Sequence, residues 1–152
     1  MSSFTRSDLT KLVKHFEGFH RVSRDTVPPT AEPYLCPAGY WTIGYGRLCA
    51  QDSPPVSMAT ATAWLEQDLV KFGSHVLRLI SVDLSPGQLA ALTSWTYNLG
   101  PGRLRSSTLR AVLNDGEYNE VPAQMRRWVY GGGVKLGGLV LRREAEVSLW
   151  MS

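Results

Sequence analysis

Three side chains in the first third of the chain combine types that can carry out acid–base chemistry: Glu17, Cys36 and Thr42. They lie in the stretch HFEGFH…EPYLCPAGYWTIGYG, which supplies a carboxyl group, a thiol and a hydroxyl. A carboxyl group that donates a proton and a second group that activates water are the minimum for cleaving a glycosidic bond. A glycine-punctuated segment, Trp41 to Gly46, follows Cys36 closely.

Glu17 is expected at the end of a helix. Residues 5–17 predict this helix, because Thr5 and Asp8 fit a capping box and apolar residues recur at helical spacing. Gly18 is a typical helix stop. Glu17 then lies at the negative end of the helix dipole and partly buried, two conditions that favour the protonated carboxyl a general acid requires.

The other elements predict a mixed architecture. Proline-bearing residues 21–35 predict a loop, and residues 40–46 predict a strand that ends at glycine. A long helix is expected after Ser57, and Ser85 begins another with proline at its first position and glutamine at the capping-box position. Further helices are expected near residues 107–114, 121–129 and 139–150.

The predicted fold class is therefore α+β. A small N-terminal lobe with a short β-sheet is expected over about residues 1–56. The long helix joins it to a helical lobe, and the helix and this lobe together cover about residues 57–152. A chain of 152 residues is long enough for one such domain but not for two large ones. We therefore predict a single domain over residues 1–152.

Composition excludes several classes of protein. Hydrophobic residues make up 43% and charged residues 19%, as in ordinary globular proteins. The net charge of +3 suits an anionic partner such as nucleic acid, lipid headgroups or bacterial cell wall. No Lys/Arg stripe is present, so no nucleic-acid partner is expected. The N-terminal residues lack a signal-peptide core, and no segment reaches spanning length, which predicts cytoplasmic accumulation without membrane insertion.

The cysteines and histidines suggest neither a disulfide scaffold nor a metal site. Cys36 and Cys49 are too few for such a scaffold, and although one bridge between them is conceivable, free thiols are favoured. His15, His20 and His75 lack metal-ligand spacing. No metal and no cofactor are expected.

The segment YLCPAGYWTIGYG resembles, residue for residue, a segment of the phage-type lysozymes, or endolysins, of glycoside hydrolase family 24. The stretches LSPGQLAALTSWTYNLGPGRLRSSTLRAVLNDGEY and MRRWVYGGGVKLGGLVLRREAEVSLW are similar to two further stretches of that family, in the same order. The resemblance implies a lysozyme-like fold. It also implies a muramidase that lyses the host by hydrolysing the β-1,4 bond between N-acetylmuramic acid and N-acetylglucosamine in peptidoglycan.

The resemblance also implies roles for single residues. Glu17 matches the catalytic acid, and Cys36 falls where most members have aspartate and some have cysteine. Thr42 matches the threonine that positions water, at the family spacing of five intervening residues. Asn98, in TYNLG, matches a polar cleft position that contacts sugar in relatives, and Arg143 is expected to bind carboxylates of the substrate.

One departure from the family leaves the second catalytic group open. Eighteen residues separate Glu17 from Cys36 where the family usually has eight, and the extra ten fall within residues 23–32. Counting forward from Glu17 favours Asp25, whereas counting back from Thr42 favours Cys36. We prefer Cys36, because YLCPAG is contiguous with WTIGYG and a loop insertion changes folding free energy little. Its thiolate can act as a base toward water or attack the anomeric carbon, and the sequence leaves both open.

Three alternatives and the biological setting complete the prediction. A lytic transglycosylase would cut the same bond without water, a thiol peptidase would use Cys36 with His15 or His20, and a wall-binding module would not be catalytic. The expected partners are peptidoglycan and a holin-type pore that gives access to it, and the protein is expected to be a monomer. It would stay in the host cytoplasm before release and act on peptidoglycan in the periplasm.

Overall fold

The structure is a computed structural model that describes residues 6–23 and 26–152. Two predictions fall outside these residues: the contribution of Thr5 to the first helix cap, and Asp25 as a catalytic group. Within the described residues the chain is α+β, as predicted.

The helices account for most of the chain, and the strands are short. The helices are α1 (Arg6–Glu17), α2 (Met58–Leu79), α3 (Pro86–Leu99), α4 (Pro101–Ser106), α5 (Thr108–Asn114), α6 (Val121–Arg126) and α7 (Gly137–Met151), with a 3₁₀ turn at Tyr118–Glu120. The strands are β1 (Val22–Ser23), β2 (Thr30–Ala31), β3 (Tyr34–Leu35), β4 (Trp41–Ile43), β5 (Arg47–Leu48), β6 (Val56–Ser57), β7 (Tyr130–Gly131) and β8 (Val134–Lys135).

The chain divides into two compact units. The first is Val13–Asp68, and the second is Leu69–Ser152 together with the N-terminal stretch that ends at Leu12. The first unit contains two antiparallel sheets with strand orders β1-β2-β6 and β3-β4-β5. That this chain forms a single domain remains a prediction.

The prediction of a loop over residues 21–35 was wrong, because strands β1, β2 and β3 lie within it. Ala31 pairs with Val22 on one side and Val56 on the other, and its side chain is fully buried. The three prolines of this segment lie outside the strands, where their missing N–H groups interrupt no ladder. The composition of residues 21–35 therefore did not indicate these strands, because the pairing of β2 depends on β6, which lies far along the chain.

Gly44 allows the end of β4 to approach α2. Its φ is +65°, a conformation that side chains rarely adopt, and a Cβ built there would lie 3.0 Å from the Cβ of Ala61. Glycine is thus required both by the backbone and by the neighbouring helix. The close approach follows directly after the strand that carries Thr42.

Helix α3 is the most buried helix of the second unit, with every side chain from Ala90 to Thr96 buried. It packs against α7, and its start confirms the predicted capping box. The hydroxyl of Ser85 accepts from the Gln88 N–H at 3.1 Å, and the Gln88 side chain accepts from the Ser85 N–H at 2.9 Å. These two bonds satisfy backbone donors that a helix start leaves without partners.

Around the glycine run the structure differs from the prediction of a helix over residues 121–129. Helix α6 already ends at Arg126, and strands β7 and β8 form a two-stranded hairpin. Gly132 and Gly133, with φ of +57° and +79°, form its turn. A glycine pair at positive φ is typical of a tight hairpin turn, and here it connects the paired strands β7 and β8.

In the part of the chain that the structure describes, no helix combines the length and apolar character needed to cross a bilayer.

Replacing Ser85 with alanine tests the capping box. Ser85→Ala removes the acceptor for the Gln88 N–H, so we expect the free energy of unfolding to fall by about 1 kcal/mol, measured by urea denaturation. Ser148→Ala, at an exposed position of α7, is the control and should change it by less than about 0.5 kcal/mol. Equal effects of the two substitutions would show that the cap contributes nothing specific.

Candidate active site

Cys36 is held at the base of a tight hairpin between β3 and β4. Its N–H donates to the Tyr40 carbonyl at 2.9 Å, and its carbonyl accepts from the Gly39 N–H at 2.8 Å. Gly39 has a φ of +86°, which allows a three-residue loop, residues 37–39, to reverse the chain directly after Cys36. The position of this cysteine is therefore set by backbone hydrogen bonds on both sides.

The surroundings of the thiol favour its ionised form. The backbone N–H of Tyr40 is the largest influence that lowers the pKa of Cys36, and partial burial opposes it. The N–H groups of Ala38 and Gly39 and the hydroxyl of Thr42 lower that pKa further. Hydrogen bonds donated to sulfur stabilise the thiolate, so the net direction of the Cys36 pKa is downward. The side chain is partly exposed, so solvent reaches it.

Thr42 lies on β4, and only 4% of its surface is exposed. Its hydroxyl donates to the Tyr40 carbonyl at 3.0 Å and also lies within hydrogen-bonding reach of the Cys36 thiol. A hydroxyl has one hydrogen, so donating to the carbonyl and donating to the thiolate are alternatives. Thr42 can therefore respond to the charge of Cys36 without moving its backbone.

Glu17 is the last residue of α1, as predicted, and its side chain is partly buried. The Gly18 N–H donates to the Lys14 carbonyl at 3.0 Å, and Gly18 has a φ of +75°. The Nε2–H of His20 donates to the Glu17 carbonyl oxygen at 2.7 Å, since a carbonyl can only accept. These bonds fix the helix end that carries the carboxyl group.

Tyr34 is a residue of this site that the sequence analysis missed. It pairs with Thr42 across the β3–β4 ladder and lies two residues before Cys36, so the three side chains share one face. Burial raises the pKa of Tyr34 most, followed by the negative charges of Glu17 and then Cys36 and Cys49. Glu17 and Cys36 are therefore both within electrostatic reach of one phenol. The signal available in the sequence was Tyr34 two positions before Cys36, in YLC.

Asn98 and Arg143 lie in the other compact unit, on α3 and α7, and they contact each other. The guanidinium of Arg143 donates to Asn98 Oδ1 at 2.7 Å and pairs with the carboxylate of Glu146 at 2.7 Å. Arg143 has 0% exposed surface, whereas Asn98 is partly exposed. The expectation that Arg143 itself binds carboxylates of the substrate does not fit a fully buried side chain. Its described partners are side chains and backbone of its own unit.

A cavity of about 430 Å³ lies in the second compact unit, within Leu69–Ser152. Of the site residues that the structure describes, Glu17, Cys36, Thr42, Asn98 and Arg143, none lines it. One wall is aromatic, with Trp128 covered by the guanidinium of Arg103 at 5.6 Å from the ring centre. Its lining residues are Arg103, Ser106, Ser107, Thr108, Gln124, Arg127, Trp128 and Tyr130.

Among residues 6–23 and 26–152, no group of three or more His, Cys, Asp or Glu side chains is arranged to hold a metal ion. Cys36 and Cys49 are both free and partly exposed. They follow β3 and β5, the two strands that flank β4.

The lowered pKa of Cys36 predicts its reactivity. The test uses a Cys49→Ser background, in which Cys36 is alkylated with iodoacetamide over a range of pH. Because the thiolate is the nucleophile, the pH at which the rate is half of its maximum should lie below the pKa of an unperturbed cysteine. Thr42→Val keeps the side-chain shape but removes the hydroxyl, so the midpoint should move to higher pH. Ser53→Ala, a serine outside these contacts, is the control. A midpoint in the parent at or above the ordinary cysteine value would contradict the described contacts.

Comparisons with known proteins place this geometry in a family. The family model described as phage lysozyme matches residues 14–146. The chain is 36% identical over 123 residues to the SAR-endolysin of Bacteriophage PS119, covering 78% of this chain and 74% of that protein. It is 35% identical over 143 residues to the endolysin of Bacillus phage B103, covering 93% of this chain but only about half, 51%, of that protein.

A solved structure supports the same assignment. The muramidase domain of SpmX from Asticaccaulis excentricus superposes with a TM-score of 0.82 at 27% identity, covering 100% of this chain and 99% of that one. The α+β architecture is thus lysozyme-like, as predicted. With a family match over most of its length, this chain belongs to the phage lysozyme family.

Proposed function

We propose that this chain is an endolysin that acts as an N-acetylmuramidase on bacterial peptidoglycan. The observation that carries the proposal is the setting of the Cys36 thiol: backbone N–H groups and the nearby Thr42 hydroxyl lower its pKa, and it lies within electrostatic reach of the same phenol as Glu17. An acid paired with an activated second group is what hydrolysis of a glycosidic bond requires. Family membership supports the same bond and substrate.

In the proposed reaction Glu17 is the general acid. Its carboxyl proton passes to the glycosidic oxygen as the bond to the anomeric carbon breaks, which releases the leaving sugar as a neutral alcohol. The backbone at the end of α1, held through Gly18 and His20, fixes the point from which this carboxyl group extends. A positioned acid loses less entropy on reaching the transition state than a mobile one.

Cys36 is the proposed second group, and two routes are open to it. As a base, its thiolate takes a proton from a water that Thr42 orients, and the resulting hydroxide attacks the anomeric carbon. As a nucleophile, the sulfur bonds to the anomeric carbon, and water later displaces it with Glu17 acting as base. The lowered pKa of Cys36 favours both routes, because each begins from the thiolate.

The alternatives receive less support. A lytic transglycosylase needs no water-positioning group, whereas Thr42 lies beside Cys36. For a thiol peptidase, His20 is engaged with the Glu17 carbonyl, and His15 packs edge-on against Phe16. A wall-binding module would require neither a thiol with a lowered pKa nor a nearby carboxyl group, and this unit contains both.

The proposal extends to setting and assembly. We infer that the protein acts as a monomer on peptidoglycan in the periplasm, and that it reaches the wall from the host cytoplasm through a holin-type pore. These points rest on the resemblance to phage enzymes. Sedimentation velocity tests the first, and lysis timing in a host with and without a co-expressed holin tests the second.

Digestion of purified peptidoglycan, with the new ends identified by mass spectrometry, tests the reaction. The parent should produce reducing muramic acid ends, whereas anhydro ends would support a transglycosylase and free amino termini a peptidase. Glu17→Gln should lower the rate about a hundredfold or more, because the proton donor is lost. Glu32→Gln, at an exposed carboxylate of the same unit, is the control and should leave the rate unchanged. Full activity in Glu17→Gln would overturn the proposal.

A second comparison assigns the partner of Glu17. Cys36→Ala should abolish most of the activity, and Cys49→Ala should not. Asp25→Ala, with Asp52→Ala as its matched control, should retain activity if Cys36 is the second group. The reverse pattern, with Asp25→Ala inactive and Cys36→Ala active, would give the role to Asp25. A glycan linked to Cys36, detected in the intact mass of the protein, would distinguish the nucleophile from the base.

A further inference from the structure

The chain between Glu17 and Cys36 is too long to set the distance between the acid and the thiol by itself. Eighteen residues separate the two, and strands β1 and β2 lie among them. Changes in the length of such a segment alter its closure free energy only slightly, so the covalent path does not select one separation. The separation matters chemically, because it decides whether a water molecule fits between the acid and its partner. Other contacts must therefore hold the end of α1 against the hairpin that carries Cys36.

His20 follows the end of α1 and is bonded back to it. Its Nε2–H donates to the Glu17 carbonyl oxygen at 2.7 Å. The edge of the imidazole lies over Gly18, where an added Cβ would come within 3.0 Å of Nε2 and 3.2 Å of Cε1. Gly18 thus has two functions, since its φ of +75° ends the helix and its missing side chain leaves room for the ring. The ring of His20 is therefore placed directly against the backbone of the residue that carries the acid.

The same imidazole packs on the ring of Tyr34, with 5.0 Å between the ring centroids and 56° between the ring planes. Tyr34 lies on β3, two residues before Cys36 and opposite Thr42 in the β3–β4 ladder. Burial contributes most to the raised pKa of Tyr34, followed by the negative charges of Glu17 and Cys36. One side chain, that of His20, therefore contacts both the backbone of the acid and the strand that leads to the thiol.

A second aromatic contact joins the same segment to the same sheet. Phe19 packs against Tyr45 with 5.3 Å between the ring centroids, and Nζ of Lys14 lies 5.1 Å from the centre of the Tyr45 ring. Tyr45 comes two residues after the end of β4, and all of these residues belong to the compact unit Val13–Asp68. These contacts hold α1 near the sheet, whereas the hydrogen bond of His20 acts at Glu17 itself.

We propose that His20 is a positioning residue that sets the distance between the Glu17 carboxyl group and the Cys36 thiol by joining the end of α1 to Tyr34. The inference rests on the proposed function, in which Glu17 donates the proton and Cys36 is the second group. His20 takes no part in breaking the bond, because it acts through the Glu17 backbone and the Tyr34 ring. A misplacement of about 1 Å at a reacting group can lower a rate about a hundredfold, so such a contact can control catalysis.

Substitutions at His20 separate its two contacts. His20→Ala removes both, so kcat on soluble, uncross-linked glycan strands should fall roughly tenfold or more, with KM within about twofold of the parent value. His20→Phe keeps a ring beside Tyr34, and His20→Gln keeps a donor for the Glu17 carbonyl, so each should retain more of kcat than His20→Ala. The melting temperature should change little, because His20 is exposed. His15→Ala, at an exposed histidine of α1, is the control and should keep the parent's kcat. A kcat of His20→Ala equal to that of the parent would show the inference to be wrong.

A double-mutant cycle tests whether His20 acts through Tyr34. Tyr34→Leu removes the ring on which the imidazole packs, so kcat should fall. In that background His20→Ala should lower kcat no further, because both substitutions break the same link between the end of α1 and β3. Losses that multiply in the double variant would mean that His20 acts by another route, which contradicts the positioning role.

Gly18→Ala displaces the imidazole without changing it. The added Cβ meets the ring, so kcat should fall as it does in His20→Ala. Gly116→Ala is the matched control, because Gly116 has a φ of +85° and a Cβ there would meet no atom within 4 Å. The control imposes comparable backbone strain and should leave kcat unchanged. If the two alanine variants lose kcat equally, displacement of the ring is not the cause and the inference fails.

Nuclear Overhauser effects between the ring protons of His20 and Tyr34 test the contact without any substrate. Cross-peaks should be present in the parent and in Gly116→Ala and should be lost in Gly18→Ala. Their absence from the parent would refute this inference whatever the activity. A parent that shows them but does not cleave glycan would contradict the proposed function, and the inference with it. A parent that cleaves glycan no faster than His20→Ala would contradict this inference alone.

Discussion

The antiparallel pairing of β3 with β4 is the constraint on which the candidate site depends. In that register Tyr34 lies opposite Thr42, and Cys36 pairs with Tyr40 at the point where the hairpin closes. A slip of one residue would turn these side chains to the opposite face of the sheet. The tight loop at Gly39 excludes such a slip, since it closes the ladder at one pair only. The backbone thereby determines which oxygen and which N–H groups surround the sulfur.

The two compact units use different physical means to hold their functional groups. In Val13–Asp68, the main-chain N–H groups near Cys36 stabilise the thiolate, so the site depends on backbone geometry. In the second compact unit, the ion pair of Arg143 and Glu146, buried between α3 and α7, holds the side-chain amide of Asn98. Backbone N–H groups remain when neighbouring side chains are substituted, whereas a buried charge is left uncompensated when its partner is removed. Substitutions should therefore be tolerated more widely around Cys36 than around Arg143.

Whether a feature could be predicted from the sequence depends on how far apart its interacting residues lie along the chain. The end of α1 at Glu17 and the Ser85 capping box were correct, because both depend on residues within one helical turn. Strands β1 and β2 were missed, because their pairing depends on β6, which lies distant in sequence. The burial of Arg143 was missed for the same reason, since Asn98 lies 45 positions away. Tyr34 is within reach of the sequence, because a hairpin closing at Cys36 and Tyr40 places it opposite Thr42.

The extra residues between Glu17 and Cys36, which fall within residues 23–32, include the paired strand β2. The segment starts at β1 and returns at β2, and β2 is itself anchored to β6, so its length is absorbed before the chain reaches β3. Insertions and deletions can accumulate there without altering the distance from Cys36 to Thr42 along the hairpin. The number of residues between the acid and the hairpin can then change while the β3–β4 register is kept. Recognition of distant homologues should accordingly weight the hairpin motif and leave the spacing from the acid unrestricted.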